Sequence, residues 1–120
     1  MGAKPTIVIT GPTGLLGKQV IKFLCSNHDV HAIVRDLSRQ VDSRATGHVI
    51  DLSDNWSSDS LPERVDIVIH LAQSDRFRDF PDGATDVFKV NIESTARLLD
   101  YASRAGCRQF IYASSGGLYG

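Results

Sequence analysis

Apolar residues along the chain switch between two periods, and each switch marks an element boundary. Thr6-Ile7-Val8-Ile9-Thr10 is a β-branched run that ends at Gly11, as a strand buried on both faces does. Leu15, Leu16, Val20, Phe23 and Leu24 then recur at helical spacing, with Lys18, Gln19, Lys22 and Ser26 opposite. This predicts a helix that covers the sheet with those five residues and stops near Asn27. Val30 to Val34 reads as a second strand, His48-Val49-Ile50 as a short third and Val65 to Leu71 as a fourth. The Ser- and Asp-rich residues 53–63 read as a loop or a single helical turn. Ser60-Leu61-Pro62-Glu63 has capping-box spacing there, and Trp56 is the group that would pin the segment to the domain. Residues 74–85 read as a second loop, punctuated by Pro81 and Gly83.

Asp86 to Ala105 is the best-defined helix, because Lys89, Glu93, Arg97, Asp100 and Arg104 form one solvated stripe of alternating sign. Gly106 ends it, and Gln109 to Ala113 is a fifth strand. Strands alternating with helices imply an α/β fold with a parallel sheet. The doubly wound (Rossmann) order 3-2-1-4-5 places a switch point between strands one and four, where ligands bind at the carboxyl ends of the strands.

Composition then narrows the reading. A length of 120 residues with 42% hydrophobic content suits one compact domain with a real core. A net charge of −1 gives no basic excess for nucleic acid or an anionic membrane, so any anion must be held by a local device. The longest apolar runs are strand-sized, far short of the ~20 residues of a membrane helix. Gly2 and Thr6 formally match a myristoylation acceptor, but Thr6 is better explained as the first residue of a strand. A cytoplasmic location is the expectation. Cys25 and Cys107 lie far apart and outside any Cys-x-x-Cys spacing, which argues against a disulfide scaffold. Cys25, His28 and His31 cross a helix end, a turn and a strand, which argues against a metal site.

The local device is Thr10-Gly11-Pro12-Thr13-Gly14-Leu15-Leu16-Gly17, between a strand and a helix. Gly11 permits the tight turn, Gly14 lets backbone approach a pyrophosphate, and Gly17 lets the helix pack on the sheet. Thr13, Leu15 and Leu16 lie in the same turn, where the helix start supplies free amides and a partial positive charge. A nucleoside-triphosphate P-loop does not fit. Gly11 and Gly17 bracket five residues rather than four, and Gln19 stands where a magnesium-binding Ser or Thr belongs.

These residues resemble the extended short-chain dehydrogenase/reductase, or NAD(P)-dependent epimerase/dehydratase, family, whose glycine pattern is TGxxGxxG. Five further stretches are similar, in order: Val30 to Arg35, Asp51-Leu52, His70-Leu71-Ala72-Gln73, Val90-Asn91 and Tyr112 to Gly120 with Ser114-Ser115. The resemblance implies that Asp51 and Leu52 contact adenine, and that Leu71, Ala72 and Gln73, with Ala113 and Ser114, line the cofactor. Asp51 is equally suited to cap its own turn. In the family's register the ribose-binding carboxylate of strand two is replaced by Val34, and Arg35 follows. A guanidinium there, with Arg39 nearby, suits the 2′-phosphate of NADP over NAD; a surface ion pair of Arg35 with Asp36 is the bland alternative.

The resemblance also implies that Ser115 hydrogen-bonds the reacting substrate oxygen and that Asn91 holds part of a proton relay. At about 100° per residue, Asn91 falls on the helix face with Val87, Leu98 and Ala102, towards the sheet. Phe88, Ile92 and Leu99 widen that apolar surface beyond one sheet contact, and homodimerisation through helix 86–105 is the expectation. The family's Tyr-x-x-x-Lys pair is not found in these residues: Tyr101 precedes Ala105 by four and Tyr112 precedes Gly116. The chain alone is therefore expected to transfer no hydride. Two readings follow. One is the amino-terminal part of a reductase, epimerase or dehydratase acting on a hydroxyl or carbonyl of a sugar nucleotide or similar small molecule. The other is a non-catalytic half-domain that binds NADP(H) or a protein partner.

Overall fold

The structure, a computed structural model, describes residues 4–36, 41–72, 79 and 81–113. Among the described residues, five strands and their helices follow in the order β1 (Thr6–Thr10), α1 (Leu15–Leu24), β2 (Asp29–Val34), β3 (Thr46–Val49), β4 (Ile67–His70), α2 (Ala84–Val87), α3 (Ser94–Arg104) and β5 (Gln109–Tyr112), with helices between β1 and β2 and between β4 and β5. All pairings are parallel and the sheet order is β3-β2-β1-β4-β5, the doubly wound order expected. The third strand begins two residues earlier than its apolar run, at Thr46. It still carries the ladder past its end, since the Ile50 amide donates to the Val34 carbonyl at 2.9 Å.

Strand alternation sorts the core into two layers. Ile7, Ile9, Val30, Ala32 and Ile69 face α1, and they pack with Ile21 and Cys25. Val8, Ile33 and Val68 face the other helix, packing with Val90, Leu98, Tyr101 and Ala102. The Tyr101 phenol donates to the Pro62 carbonyl at 2.7 Å, and burial pushes it up to about 12, so it is a fixed strut rather than a proton donor. Trp56 does pin its loop. Its indole N–H donates to Ser94 Oγ at 2.8 Å, and the Arg97 guanidinium binds its carbonyl at 3.2 Å.

Two expectations need correction. The inward face of α1 is not Leu15, Leu16 and Phe23, which are 88%, 57% and 80% exposed. Gly17 and Ile21 are buried instead, with Val20 and Leu24 half-buried beside them. The reason is steric: the glycine must face the preceding loop, and the residue four further on shares its side of the helix. Residues 53–63 form a loop, in line with their reading, with one turn closed by the Leu61 amide on the Ser58 carbonyl just before Pro62.

The long helix is also not α-helical throughout, because Phe88–Glu93 is a π-helical segment joining α2 to α3. Its i→i+5 bonds, such as Ser94 N–H to Lys89 O, advance each residue by less than an α-helix does. Val90 therefore takes the sheet-facing place that uniform pitch assigns to Asn91, which is half-buried. The polar stripe is as expected, with Arg97 paired to Glu93 and Arg104 to Asp100. Gly106, at φ +76°, closes α3 in a Schellman arrangement, with the Cys107 amide on the Ala102 carbonyl. Among the described residues, no helix is long and apolar enough to cross a membrane.

Candidate functional site: a cleft at the strand ends

The carboxyl ends of β1, β2 and β4 open onto a cleft of about 300 Å³. It is lined by the Gly11-Pro12-Thr13-Gly14 turn, by Val34 and Arg35 after β2, and by Asp51 and Leu52 after β3; Leu71 and Ala72 close the far side. Four segments distant in sequence thus meet at the switch point, and Val90 enters from the π segment as a fifth.

The three glycines divide by cause. Gly11 holds φ +71°, and a Cβ there would stand 2.8 Å from the Ala72 amide nitrogen. A Cβ on Gly17 would stand 1.9 Å from the Gly11 carbonyl oxygen. Both are demanded by the fold itself. Gly14 is not: its φ of −71° suits any residue, and the nearest atom to a Cβ would be the Gly11 oxygen at an ordinary 3.6 Å. Gly14 lines the cleft, and the missing side chain leaves that part of its wall open. It is also the N-cap of α1, and neither a capping side chain nor an acidic residue occupies that first turn. Amides at a helix start, approachable because position 14 is bare, match a pyrophosphate in charge and donor geometry. Residues and ligand fit. Leu15 and Leu16 point outward, so any contact they make to an anion is through backbone.

On the adenosine side, Val34 is buried and Arg35 is exposed at the cleft wall. Asp51 caps its own turn: Oδ1 accepts the Ser53 amide at 2.9 Å and the Ser53 hydroxyl at 2.6 Å. Those bonds, then Arg35 nearby, hold the Asp51 carboxyl below its usual range against the opposing effect of burial. On the far side, Thr10 and His70 are buried at adjacent strand ends. Thr10 Oγ1 accepts the Leu71 and Ala72 amides at 3.1 and 3.0 Å and lies 2.6 Å from His70 Nδ1. Burial pulls His70 down to about 4, so it is neutral at physiological pH and not a base. Thr10 and His70 stood inside quoted motifs; their facing polar groups across paired strands were the available signal. Arg39, Gln73, Ser114 and Ser115 lie outside the described residues, whereas Ala113, half-buried, continues from β5 with its amide on the His70 carbonyl at 3.2 Å. Among the described residues, no cluster of metal-ligating side chains forms around Cys25, His28 and His31 or elsewhere.

A parallel sheet wound in this order, with a bare glycine turn over its switch point, defines a dinucleotide-binding α/β domain. Residues 7–120 match the NAD dependent epimerase/dehydratase family, and the chain belongs to that family. It is similar to L-arabinose 1-dehydrogenase (NAD(P)(+)) of Haloferax volcanii, at 32% identity over 91% of this chain and 40% of that protein. A short-chain dehydrogenase/reductase superfamily protein from Agrobacterium tumefaciens, solved with bound NAD, superposes with a TM-score of 0.78. It is 32% identical, over 95% of this chain and 34% of that one. A UDP-galactose 4-epimerase gives a TM-score of 0.78 at 28% identity, over 96% of this chain and 40% of its own. The chain thus spans about two-fifths of the length of the curated relative.

Two outcomes test this geometry. Gly14→Ala is expected to cost less than ~1 kcal/mol of stability yet weaken dinucleotide binding by about tenfold or more, whereas Gly17→Ala costs ~2–3 kcal/mol through overpacking. Calorimetric titration and denaturant unfolding of the two variants decide it; unaltered binding by Gly14→Ala would remove the ligand explanation for that glycine. The second concerns pH. His70 takes a proton near 6.5 when unfolded but only near 4 when folded. The unfolded state therefore binds more protons between those values, and stability falls as pH drops through that window, by up to ~3 kcal/mol. Asp42, held at about 2 by Arg44, loses its contribution only at lower pH. His48, also lowered by burial and by His31, acts in the same window, so denaturant midpoints at pH 7.5 and 5 are compared between the parent and His70→Gln to isolate His70. The same pH dependence in both proteins would mean that His70 is not buried as a neutral ring.

Proposed function

We propose that this chain is the dinucleotide-binding portion of an NAD(P)-dependent oxidoreductase, epimerase or dehydratase acting on a hydroxyl or carbonyl of a small molecule such as a sugar nucleotide. The observation that carries the reading is the bare Gly14 turn over the cleft, with its uncapped helix start. Gly11, Thr13, Gly14 and the backbone of Leu15 to Gly17 hold the pyrophosphate; Asp51 and Leu52 flank the adenine. Leu71 and Ala72 form the wall against which the nicotinamide ribose rests; Gln73, Ala113 and Ser114 are further cofactor-binding residues of this reading. Ser115 is the substrate hydrogen-bond donor and Asn91 a member of the proton relay.

NADP is the preferred form. Val34 offers no carboxylate to a ribose 2′-hydroxyl, and Arg35 stands at the wall where a 2′-phosphate would lie. Arg39 follows as a second cation. NADPH is expected to bind about tenfold more tightly than NADH, with Arg35→Ala abolishing the difference. Titration of both nucleotides measures this: failure of both to bind would end the cofactor reading, and a preference for NADH would end only the Arg35 assignment.

Phe88, Ile92 and Leu99 are 53%, 58% and 48% exposed on one continuous helical run, a surface suited to a second copy of this chain. The protein is read as a homodimer through that run. Light scattering at micromolar concentration is expected to give the dimer mass, and a monomer mass counts against it.

A further inference from the structure

The cleft has two walls with no direct link in sequence, the Asp51-Leu52 segment after β3 and the Leu71-Ala72 segment after β4. Two consecutive hydroxyls, Ser94 and Thr95, hold one wall each. Ser94 is 1% exposed; its Oγ donates to the Leu52 carbonyl and accepts the Trp56 indole N–H at 2.8 Å. Thr95 Oγ1 donates to the Asn91 carbonyl at 2.8 Å and stands 2.8 Å from His70 Nε2. Neighbouring side chains on a helix diverge by about 100°, so one step along α3 reaches from one wall to the other.

The bonds on the β4 side have only one consistent direction. Thr10 Oγ1 already accepts two amides, from Leu71 and Ala72, so its single proton goes to His70 Nδ1. Thr95 gives its own proton to the Asn91 carbonyl, so it must accept from His70 Nε2–H. Both ends demand the same neutral tautomer, protonated on Nε2. Burial, which keeps the imidazole uncharged, supports that state. The result is a directed chain from the Ala72 amide through Thr10, His70 and Thr95 to the backbone of Asn91.

We propose that Thr95 is a positioning residue for the cofactor cleft: through the Nε2–H tautomer of His70 it fixes the Leu71-Ala72 wall and the carbonyl of Asn91 relative to one another. Ser94 does the same for the Leu52 wall. This rests on the dinucleotide reading above. The π segment contributes by placing Val90 inward and Ser94 and Thr95 four and five residues later, one towards each wall.

The test uses Thr95→Val, which removes the hydroxyl at nearly constant shape, and Thr95→Ser, which keeps it. Thr95→Val is expected to weaken NADPH or NADH binding by about tenfold, while Thr95→Ser stays within about twofold of the parent. In parallel, 15N NMR of His70 is expected to show the Nε2–H tautomer in all three proteins, because Thr10 holds Nδ1 as an acceptor, with the Nε2–H proton losing its downfield, hydrogen-bonded shift only in Thr95→Val. Parent-like affinity in a folded Thr95→Val overturns the proposal, and so does an Nδ1–H tautomer in the parent protein. A parent that binds neither nucleotide but shows the Nε2–H tautomer overturns the dinucleotide reading and, with it, the positioning role. If Thr95→Val does not fold, Thr95→Ser decides: lost affinity or an altered His70 tautomer there contradicts the role assigned to the hydroxyl.

Discussion

Between Gly17 and the carbonyl of Gly11 there is room for a hydrogen atom and no more, since a Cβ would come within 1.9 Å of that oxygen. This contact draws the first turn of α1 down onto the end of β1. Gly11 in turn presses against the Ala72 amide, so that β1, α1 and the segment after β4 are locked at one point. The orientation of α1 follows from it: with position 17 inward, Ile21 is buried and Leu16 and Phe23 face out. The cleft follows too. Only with the helix start this low do its amides lie beside the strand ends, and only position 14 has space around it.

The opposite face of the sheet is organised by hydrogen bonds as well as by packing. Leu98 and Ala102 are buried in the layer with Val8 and Val68, which fixes where α3 lies. The polar side chains at its start are then committed: Ser94 to the segment bearing Leu52, Thr95 to His70. Among the described residues, no buried side-chain nitrogen or oxygen lacks a partner, so this polar layer is satisfied rather than strained. A buried, satisfied network is costly to break in part, which makes it a fitting way to hold two walls at a constant separation.

Much of this was legible in residue order because the signals were local and mutually consistent. β-branched runs placed β1, β2 and β4, Gly106 placed the end of α3, and the charge stripe placed its solvent side. The order of the strands was as the doubly wound reading has it, although among the described residues helices separate only β1 from β2 and β4 from β5. What was not legible depends on contacts distant in sequence. The inward face of α1 was set by one glycine's backbone contact, outweighing a count of large apolar residues. The π segment left no periodic trace, because an extra residue in one turn alters phase without altering composition. His70 reads as an ordinary strand-end histidine until Thr10 and Thr95 are seen on either side of its ring. Asp51, open between two roles in sequence, caps its own turn while still lining the cleft.

The central claim is that the Gly11–Gly17 turn, the Arg35 wall and the Leu71-Ala72 wall form one dinucleotide site. Backbone amide NMR of the 15N-labelled protein during addition of NADPH addresses it residue by residue. The account predicts the largest shifts at Gly14, Leu15 and Gly17, accompanied by Arg35, Asp51 and Ala72, with the opposite ends of the strands unmoved. Shifts confined to other surfaces, or none at saturating nucleotide, would contradict it.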